Sequence, residues 1–590
     1  MSFDQTPINQ LITDNIDTWT STVKTKATTG RGSSKKLELY GVKKLRELIL
    51  ELAVRGKLVP QDPNDEPAAV LLERIAEEKA QLVKEKKIKK PKKLELIDTD
   101  DHLFDIPSSW NWERLGNIGE TNIGLTYSPK DAGDKGIPVL RSANIQKGKI
   151  DLSDLVRVQK EVKDSVLVEA GDLLICARNG SKALVGKTAQ IRSLDEPMAF
   201  GAFMAIFRSC INDYIEVFLN SPVYRRNLDG VSTTTINQIT QSNLRSTICP
   251  IPPVNEQHRI VAKVDELMAL CDQLEQQTEA SIAAHQVLVT TLLDTLTNSE
   301  NTEELMQNWQ MVAEHFDTLF TTEESIDQLK QTILQLAVMG KLVPQDPNDE
   351  PAAKLLERIA EEKAQLIKEK KIKKQKALPP IADDEKPFEL PNGWEWERIG
   401  NLSHFIEYGS SQKTVESLPN GVPVLKMGDI QNGKLILGEH KVMSSDVDEL
   451  PNLYVKNNDV LYNRTNSAEL VGKTGIYKGE DDKYSFASYL IRIRCNSANI
   501  SPDYLNLSMN TPLFRQYQIE PHIKKQCGQA NVNGTLMKSM LVSVPPLKEQ
   551  SCIFNKVNEL HKLCNQLKAR IIESRAAQLN FTDAIVEQAV

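Results

Sequence analysis

One stretch of 43 residues occurs twice in this chain, and that repetition limits its architecture more than any other feature. Residues 52–94 (LAVRGKLVPQDPNDEPAAVLLERIAEEKAQLVKEKKIKKPKKL) return at 336–378 as LAVMGKLVPQDPNDEPAAKLLERIAEEKAQLIKEKKIKKQKAL, with 38 of 43 positions identical. At the same offset of 284, SWNWERLGNI (109–118) returns as GWEWERIGNL (393–402), so no net insertion separates the two blocks. Farther on, PPVNEQHRIVAKVDELMALCDQLE (252–275) meets PPLKEQSCIFNKVNELHKLCNQLK (545–568) at an offset of 293. DNIDTWTS (14–21) resembles EHFDTLFT (314–321) at an offset of 300, and the extra sixteen residues include the Gly/Ser-rich TTGRGSS (28–34), read as a flexible insertion. The chain is therefore expected to fold as two related halves. Its 590 residues suit about four domains at roughly 150 residues each.

Between the repeated blocks, residues 107–250 and 391–543 match only in patches, such as IPVLRSANIQKGKI against VPVLKMGDIQNGKL. Short runs such as DLLICA, MAIFRS, DVLYN and YLIRIR, punctuated by Gly, Asn and Ser, predict mixed strands with a few short helices. A repeated scaffold carrying two diverged, domain-sized segments suggests modules that recognise different things. From Val254 to about Leu296 the pattern is one long helix with a seam at Ile260, Val264, Leu267, Cys271 and Leu274, then Leu288 and Leu292. The second half repeats it with Ile553, Val557, Leu560, Cys564, Leu567, Ile571, Phe581 and Ile585, and the two seams invite mutual pairing. LLERIAEEKAQLVKEKKIKKPKK reads as an exposed helix running into a linker, and KLVPQDPNDEPAA as a rigid corner. The fold class is α+β: two mixed α/β modules separated by long antiparallel helices. The segments are an N-terminal helical extension with linker (1–106), a first module (107–250), a central repeated helical region (251–390), a second module (391–543) and a C-terminal helix (544–590).

Several chemistries are not expected. A hydrophobic share of 40% and a charged share of 26% describe an ordinary globular chain. No window is apolar enough to span a bilayer and MSFDQTPINQ is no secretory leader, so the cytoplasm is the expected compartment. The eight cysteines (176, 210, 249, 271, 495, 527, 552 and 564) form no CxxC pair, and no His/Cys cluster has metal-ligand spacing, so plain thiols and no metal site are expected. NGSKALVGKT (179–188) ends like a phosphate-binding loop, but five residues separate Gly180 from Gly186 where four are required, and SAELVGKT (467–474) lacks the first glycine. Both read as turns carrying an exposed lysine. With no GxSxG elbow, methyltransferase NPPY-like motif or GxGxxG cradle, the chain is expected to bind rather than catalyse.

The net charge of −8 and pI near 5.7 count against a simple nucleic-acid binder. Yet residues 107–250 hold 17 Lys/Arg against 15 Asp/Glu, and residues 391–543 hold 16 against 16, so the acidity belongs to the frame. Groove reading uses Arg, Lys, Asn, Gln, Ser and Thr presented from loops. The candidates in the first module are Thr126, Arg141, Ser142, Asn144, Arg178, Asn179, Ser181, Lys182, Thr233, Thr234, Thr235, Asn237 and Gln238. Those in the second are Ser410, Ser411, Gln412, Lys413, Lys426, Asn463, Arg464, Asn466, Lys524, Lys525, Asn531 and Asn533. The openings GLTYS (124–128) and GSSQK (409–413) fall at equivalent places.

Two PPxxEQ segments leading into long helices (Pro252, Pro253, Glu256, Gln257 and Pro545, Pro546, Glu549, Gln550), twin WERxGN segments and the alternation of module with repeated helix resemble the specificity subunits of type I restriction-modification enzymes. The LVPQDPNDEPA repeat is similar to the branch called type IB. The resemblance implies two target-recognition domains held apart by an antiparallel coiled coil, each reading half of a gapped DNA site. It implies two methylation subunits as partners, docked through Pro253, Glu256, Gln257, Pro546, Glu549 and Gln550, and two motor-nuclease subunits. S-adenosylmethionine, ATP and magnesium would belong to those partners, with no cofactor in this chain. The extension before the first module makes the chain long for such a subunit; it is expected to pack beside the seams and to dock a partner. The competing reading is a coiled-coil adaptor whose two modules bind proteins.

Overall fold

The computed structural model describes residues 8–26, 36–88, 90, 92–231, 237–523 and 530–590. TTGRGSS, Thr233, Thr234, Thr235, Lys524, Lys525 and Cys527 lie outside these residues. The chain divides into two compact units, residues 1–281 with 574–590 and residues 282–573.

In unit 1 the extension forms helix α1 (Tyr40–Val54), and the repeated block forms α2 (Ala68–Lys84), which starts directly after Pro67. The module follows. Its main sheet is antiparallel, in the order Thr188–Gln190, Leu173–Cys176, Met204–Arg208, Glu120–Ile123, and Leu173–Cys176 is buried throughout because both faces are covered. A smaller sheet joins Ala199–Phe200, Ile137–Leu140, Val156–Val158 and Ala132–Gly133. The first and last strands of the module, Asn111–Arg114 and Ile248–Ile251, pair with each other, with Trp112 opposite Pro250. Both ends of the module therefore leave at one place.

Helix α3 (Val254–Asn298) starts after Pro252 and Pro253 and runs 45 residues without Gly or Pro, about 68 Å at 1.5 Å per residue. Within unit 1 its seam residues Ile260, Val264, Leu267, Cys271 and Leu274 share one core with Val42, Leu45, Ile49 and Leu52 of α1. At the rim, Arg46 of α1 reaches Asp272 at 2.6 Å and Glu275 at 2.8 Å. C-terminal residues join the same core through Ile585, and Thr582 is buried against Thr22, hydroxyl to hydroxyl at 3.0 Å.

Unit 2 repeats the plan. The end of α3 meets α4 (Thr302–Glu314) and α5 (Glu323–Val338), α6 (Ala352–Lys368) copies α2, and the second module has a six-stranded sheet. Its order is Ser403–Tyr408, Leu490–Cys495, Val460–Asn463, Thr474–Ile476, Lys434–Leu435, Ile430–Gln431. Its end strands also pair, Glu395–Arg398 with Leu541–Val544. Helix α7 (Leu547–Ala589, 43 residues) packs Ile553, Val557 and Cys564 into one core with Ile326, Leu329 and Ile333 of α5, while Lys568 binds Asp327 at 2.7 Å.

Each seam is thus covered within its unit by a short repeated helix. Two positions depart from the expected seam. Leu288 is 51% exposed, and Val289, Leu293 and Leu296 are buried instead; Phe581 is 56% exposed beside the buried Thr582. A straight helix drifts about 20° per heptad against a strict seven-residue pattern, and the buried stripe follows whichever neighbour covers it. The diverged modules also share internal bonds. Arg208 grips Asp172 through two bonds of 2.7 Å, and Arg494 grips Asp459 through bonds of 2.7 and 2.6 Å.

Among the described residues no helix is long and apolar enough to cross a membrane, no His/Cys/Asp/Glu group could hold a metal, and seven cysteines are free. Because Leu45 is fully buried where α1 meets α3, Leu45→Ala should cost about 2–5 kcal/mol, read as a lowered urea midpoint.

Candidate nucleic-acid interface

The same main-chain arrangement recurs where Leu173–Cys176 and Val460–Asn463 end. Gly186 N–H donates to Cys176 O and Gly472 N–H to Asn463 O, both at 2.8 Å. Ala177 N–H donates to Phe203 O, and Arg464 N–H to Tyr489 O, each at 3.0 Å. Arg178 then bridges Gln238, as Thr465 pairs with Asn531. These bonds align the modules residue by residue: Asn179 with Asn466, Phe203 with Tyr489, and Gly124 with Gly409. Neither glycine has room for a Cβ, which would press on the carbonyls of Phe200 and Gly201 or of Phe486 and Ala487.

The two GKT segments are turns, with Gly186 at φ +83° and Gly472 at φ +94°. Thr188 and Thr474 are fully buried in strands, so neither hydroxyl faces a phosphate. Lys473 is exposed, while Lys187 is half-buried.

In the first module the Arg178 guanidinium lies 5.3 Å from the centre of the Phe203 ring, and Phe203 is 60% exposed. Asn179 donates to Ser142 Oγ at 3.3 Å and accepts from Ser181 N–H at 3.0 Å, and Asn237 donates to Gly180 O at 3.2 Å. Ser142, Arg178, Asn179, Ser181 and Asn237 thus form one polar surface around an exposed ring. Lys182 and Gln238 are exposed on the same segments. Thr126 is exposed one residue past Leu125, which pairs with Gly201, and Arg141 is engaged with Asp154 at 3.0 Å.

In the second module Arg464 lies 4.8 Å from the centre of the Tyr408 ring and donates to Ser488 O and to Asn531 Oδ1. Asn466 points its amide at Met427 Sδ, 3.2 Å away, where Asn179 meets Ser142. Ser411, Gln412 and Lys413 are exposed beside Ser410, Lys426 is half-buried, and Asn533 caps a helix by accepting from Leu536 N–H at 2.8 Å. A guanidinium held on a ring offers donors to base edges and a flat face for stacking.

Several candidates are corrected by burial. Asn144 is 1% exposed, accepting from Arg141 N–H and donating to the carbonyls of Asp151 and Asp154, so it shapes the loop and faces no groove. Asn463 is 2% exposed and donates to Leu470 O, and Ser410 is 4% exposed against Ala487. Sequence reasoning also missed four exposed side chains at equivalent places, Ile123 and Phe203 in one module, Tyr408 and Tyr489 in the other. Beside a strand end, such residues look like core in the sequence.

The PPxxEQ residues are corrected more sharply. Glu256, Gln257, Glu549 and Gln550 are no more than 4% exposed, and Pro253 and Pro546 are buried, so none presents a docking surface. Glu256 accepts from Trp110 Nε1 at 2.9 Å and from Gln61, while Glu549 accepts from Trp394 Nε1 at 2.9 Å and Gln345 at 3.1 Å. Gln257 and Gln550 donate back to Pro252 O and Pro545 O at the helix starts. Burial pushes the Glu256 carboxyl above the usual carboxylate range against the pull of Trp110, Gln61 and Arg259, and it does the same to Glu549 against Gln345 and Trp394.

The family profile described as Type I restriction modification DNA specificity domain matches residues 107–284 and 391–574. The type I restriction enzyme EcoEI specificity subunit of Escherichia coli is 41% identical over 594 residues, spanning 99% of this chain and 100% of the relative. The EcoAI specificity subunit of Escherichia coli is 40% identical over 598 residues, with the same coverage. Among solved structures, the HsdS subunit from Thermoanaerobacter tengcongensis aligns with a TM-score of 0.39 and 16% identity, covering 83% of this chain and 99% of that one.

Glu256→Leu should cost about 1–3 kcal/mol of stability, read as a lowered urea midpoint, because it strands the buried Trp110 N–H. Glu256→Gln keeps an acceptor and removes the desolvated charge, so its cost should stay below about 1 kcal/mol. A raised folded pKa stabilises below the unfolded glutamate value and loses that contribution as pH rises through the folded one. The Gln variant should lack this part of the pH dependence, which urea titrations at several pH values would read.

Proposed function

Because this chain belongs to the family of type I restriction-modification specificity subunits, with two DNA specificity domains, we propose that each module reads one half of a gapped, two-part duplex site. The observation that carries this reading is the pair of equivalent surface clusters, in which one main-chain arrangement presents different side chains. Arg178, Asn179, Ser142, Ser181 and Asn237 with Phe203 read one half; Arg464, Asn466, Asn531, Ser411 and Lys413 with Tyr408 and Tyr489 read the other. Phosphate contacts from Lys182 and Lys426, and from Lys524, Lys525 and Thr234 on segments outside the described residues, position the duplex. Helices α3 and α7, nearly equal in length and each following a module, act as the antiparallel spacer that sets the gap.

The chain recognises and does not catalyse. Methyl transfer with S-adenosylmethionine, and translocation and cleavage with ATP and magnesium, belong to two methylation and two motor-nuclease subunits. The protein-adaptor reading is not favoured, since both modules match the DNA specificity domain.

The test is selection of duplexes from a randomised pool by the chain co-purified with its methylation subunit. A two-part consensus with a fixed gap is expected, and replacing residues 107–250 by another module should change one part alone. A continuous consensus, or no enrichment, would overturn the reading. Arg178→Ala should weaken discrimination in one half-site by about 1–3 kcal/mol and leave the other unchanged, measured as competition between single-base variants of the duplex.

A further inference from the structure

Helix α4 in unit 2 carries an apolar face that the fold does not use. Val312 on its inner side is 3% exposed in the core, whereas Met306 (68%) and Trp309 (41%), three residues apart and so side by side on the helix surface, are exposed; Met311, 44% exposed, lies on the opposite flank. The helix is firmly held. Asn301 caps it by accepting from Glu304 N–H at 2.9 Å, and Asn308 donates to Ser299 Oγ at 3.0 Å. Trp and Met at the centre of an exposed patch are the side chains that anchor protein interfaces.

The surrounding charge restricts what can cover this face. From 299 to 329 the sequence has eight Asp/Glu and no Lys or Arg, with Glu303 exposed three residues before Met306 and Glu314 and Asp317 exposed farther along the chain. A duplex is repelled by such a rim. A second copy of the chain across a twofold axis would set the same carboxylates against themselves. An apolar surface with a Lys/Arg rim is complementary. The face also breaks the internal repeat: at the offset of 300, the positions of Met306 and Trp309 hold Thr6 and Asn9 in the first half.

We propose that α4 docks one apolar helix with Lys/Arg-rich flanks from the methylation subunit, once per chain, so that the two halves hold their partners unequally. The choice of partner rests on the proposed function; the chemistry of the face does not.

The experiment uses the full chain with its methylation subunit, comparing wild type, the double variant Met306→Ser with Trp309→Ser, and the reversal Glu303→Lys with Asp317→Lys. Hydrogen exchange over 302–316 and partner affinity at two salt concentrations are read, with duplex binding by the chain alone as the check on folding. Partner binding should slow exchange at α4 in wild type, and the Ser pair should lose that protection and bind about tenfold more weakly or worse. The reversal should weaken binding most at low salt. Full affinity in the Ser pair, or an α4 left unprotected in the wild-type complex, would overturn the inference while the DNA-reading proposal stands. Failure of wild type to bind the methylation subunit at all would bring down both.

Discussion

The pairing of each module's first strand with its last is the constraint on which the rest of this molecule depends. With Trp112 opposite Pro250 and Trp396 opposite Ser543, a segment of about 140 residues leaves and rejoins the frame at one point. What happens between those strands does not move the helices outside. That is why 38 of 43 frame residues can coincide while the inserts share only patches. A buried carboxylate secures the junction: Glu256 and Glu549 each hold an indole N–H from the module's start and an amide from the preceding corner. Each group would be costly to bury without the others.

On that fixed base the modules vary where variation is cheap. The bidentate Arg–Asp grips at Arg208 and Arg494 persist inside, while at the exposed strand ends Ser142 stands where the second module has Met427, and Phe203 where it has Tyr489. On the proposed reading, a hydroxyl and a thioether would offer an adjacent base different hydrogen bonding and shape. Under that proposal two specificities would be written on one backbone arrangement without a change in fold. The charge distribution agrees, since the modules together carry only +2 and the frame carries −10.

Much of this was legible in the sequence, and the exceptions have physical causes. The repeat, the long helices and the turn character of both GKT segments follow from spacing alone, because helix period and Gly placement are local properties. The PPxxEQ residues misled because Glu and Gln are usually exposed, and nothing local reveals that an indole more than a hundred residues away supplies the partner. Asn144 and Asn463 misled for the same reason: a loop asparagine that bonds its own loop looks like one that awaits a ligand. The seams misled in part, since the pattern did not show that α1 and α5 already cover them.

The sequence by itself determined that there are two halves, that each holds a variable module between repeated helices, and that no familiar catalytic motif accompanies them. These are properties of order and spacing along one chain. Tertiary structure decided which polar residues are spent inside, which rings stand exposed beside a guanidinium, and which helix face is left uncovered. Such outcomes depend on what lies across the fold, because burial and desolvation are set by neighbours distant in sequence.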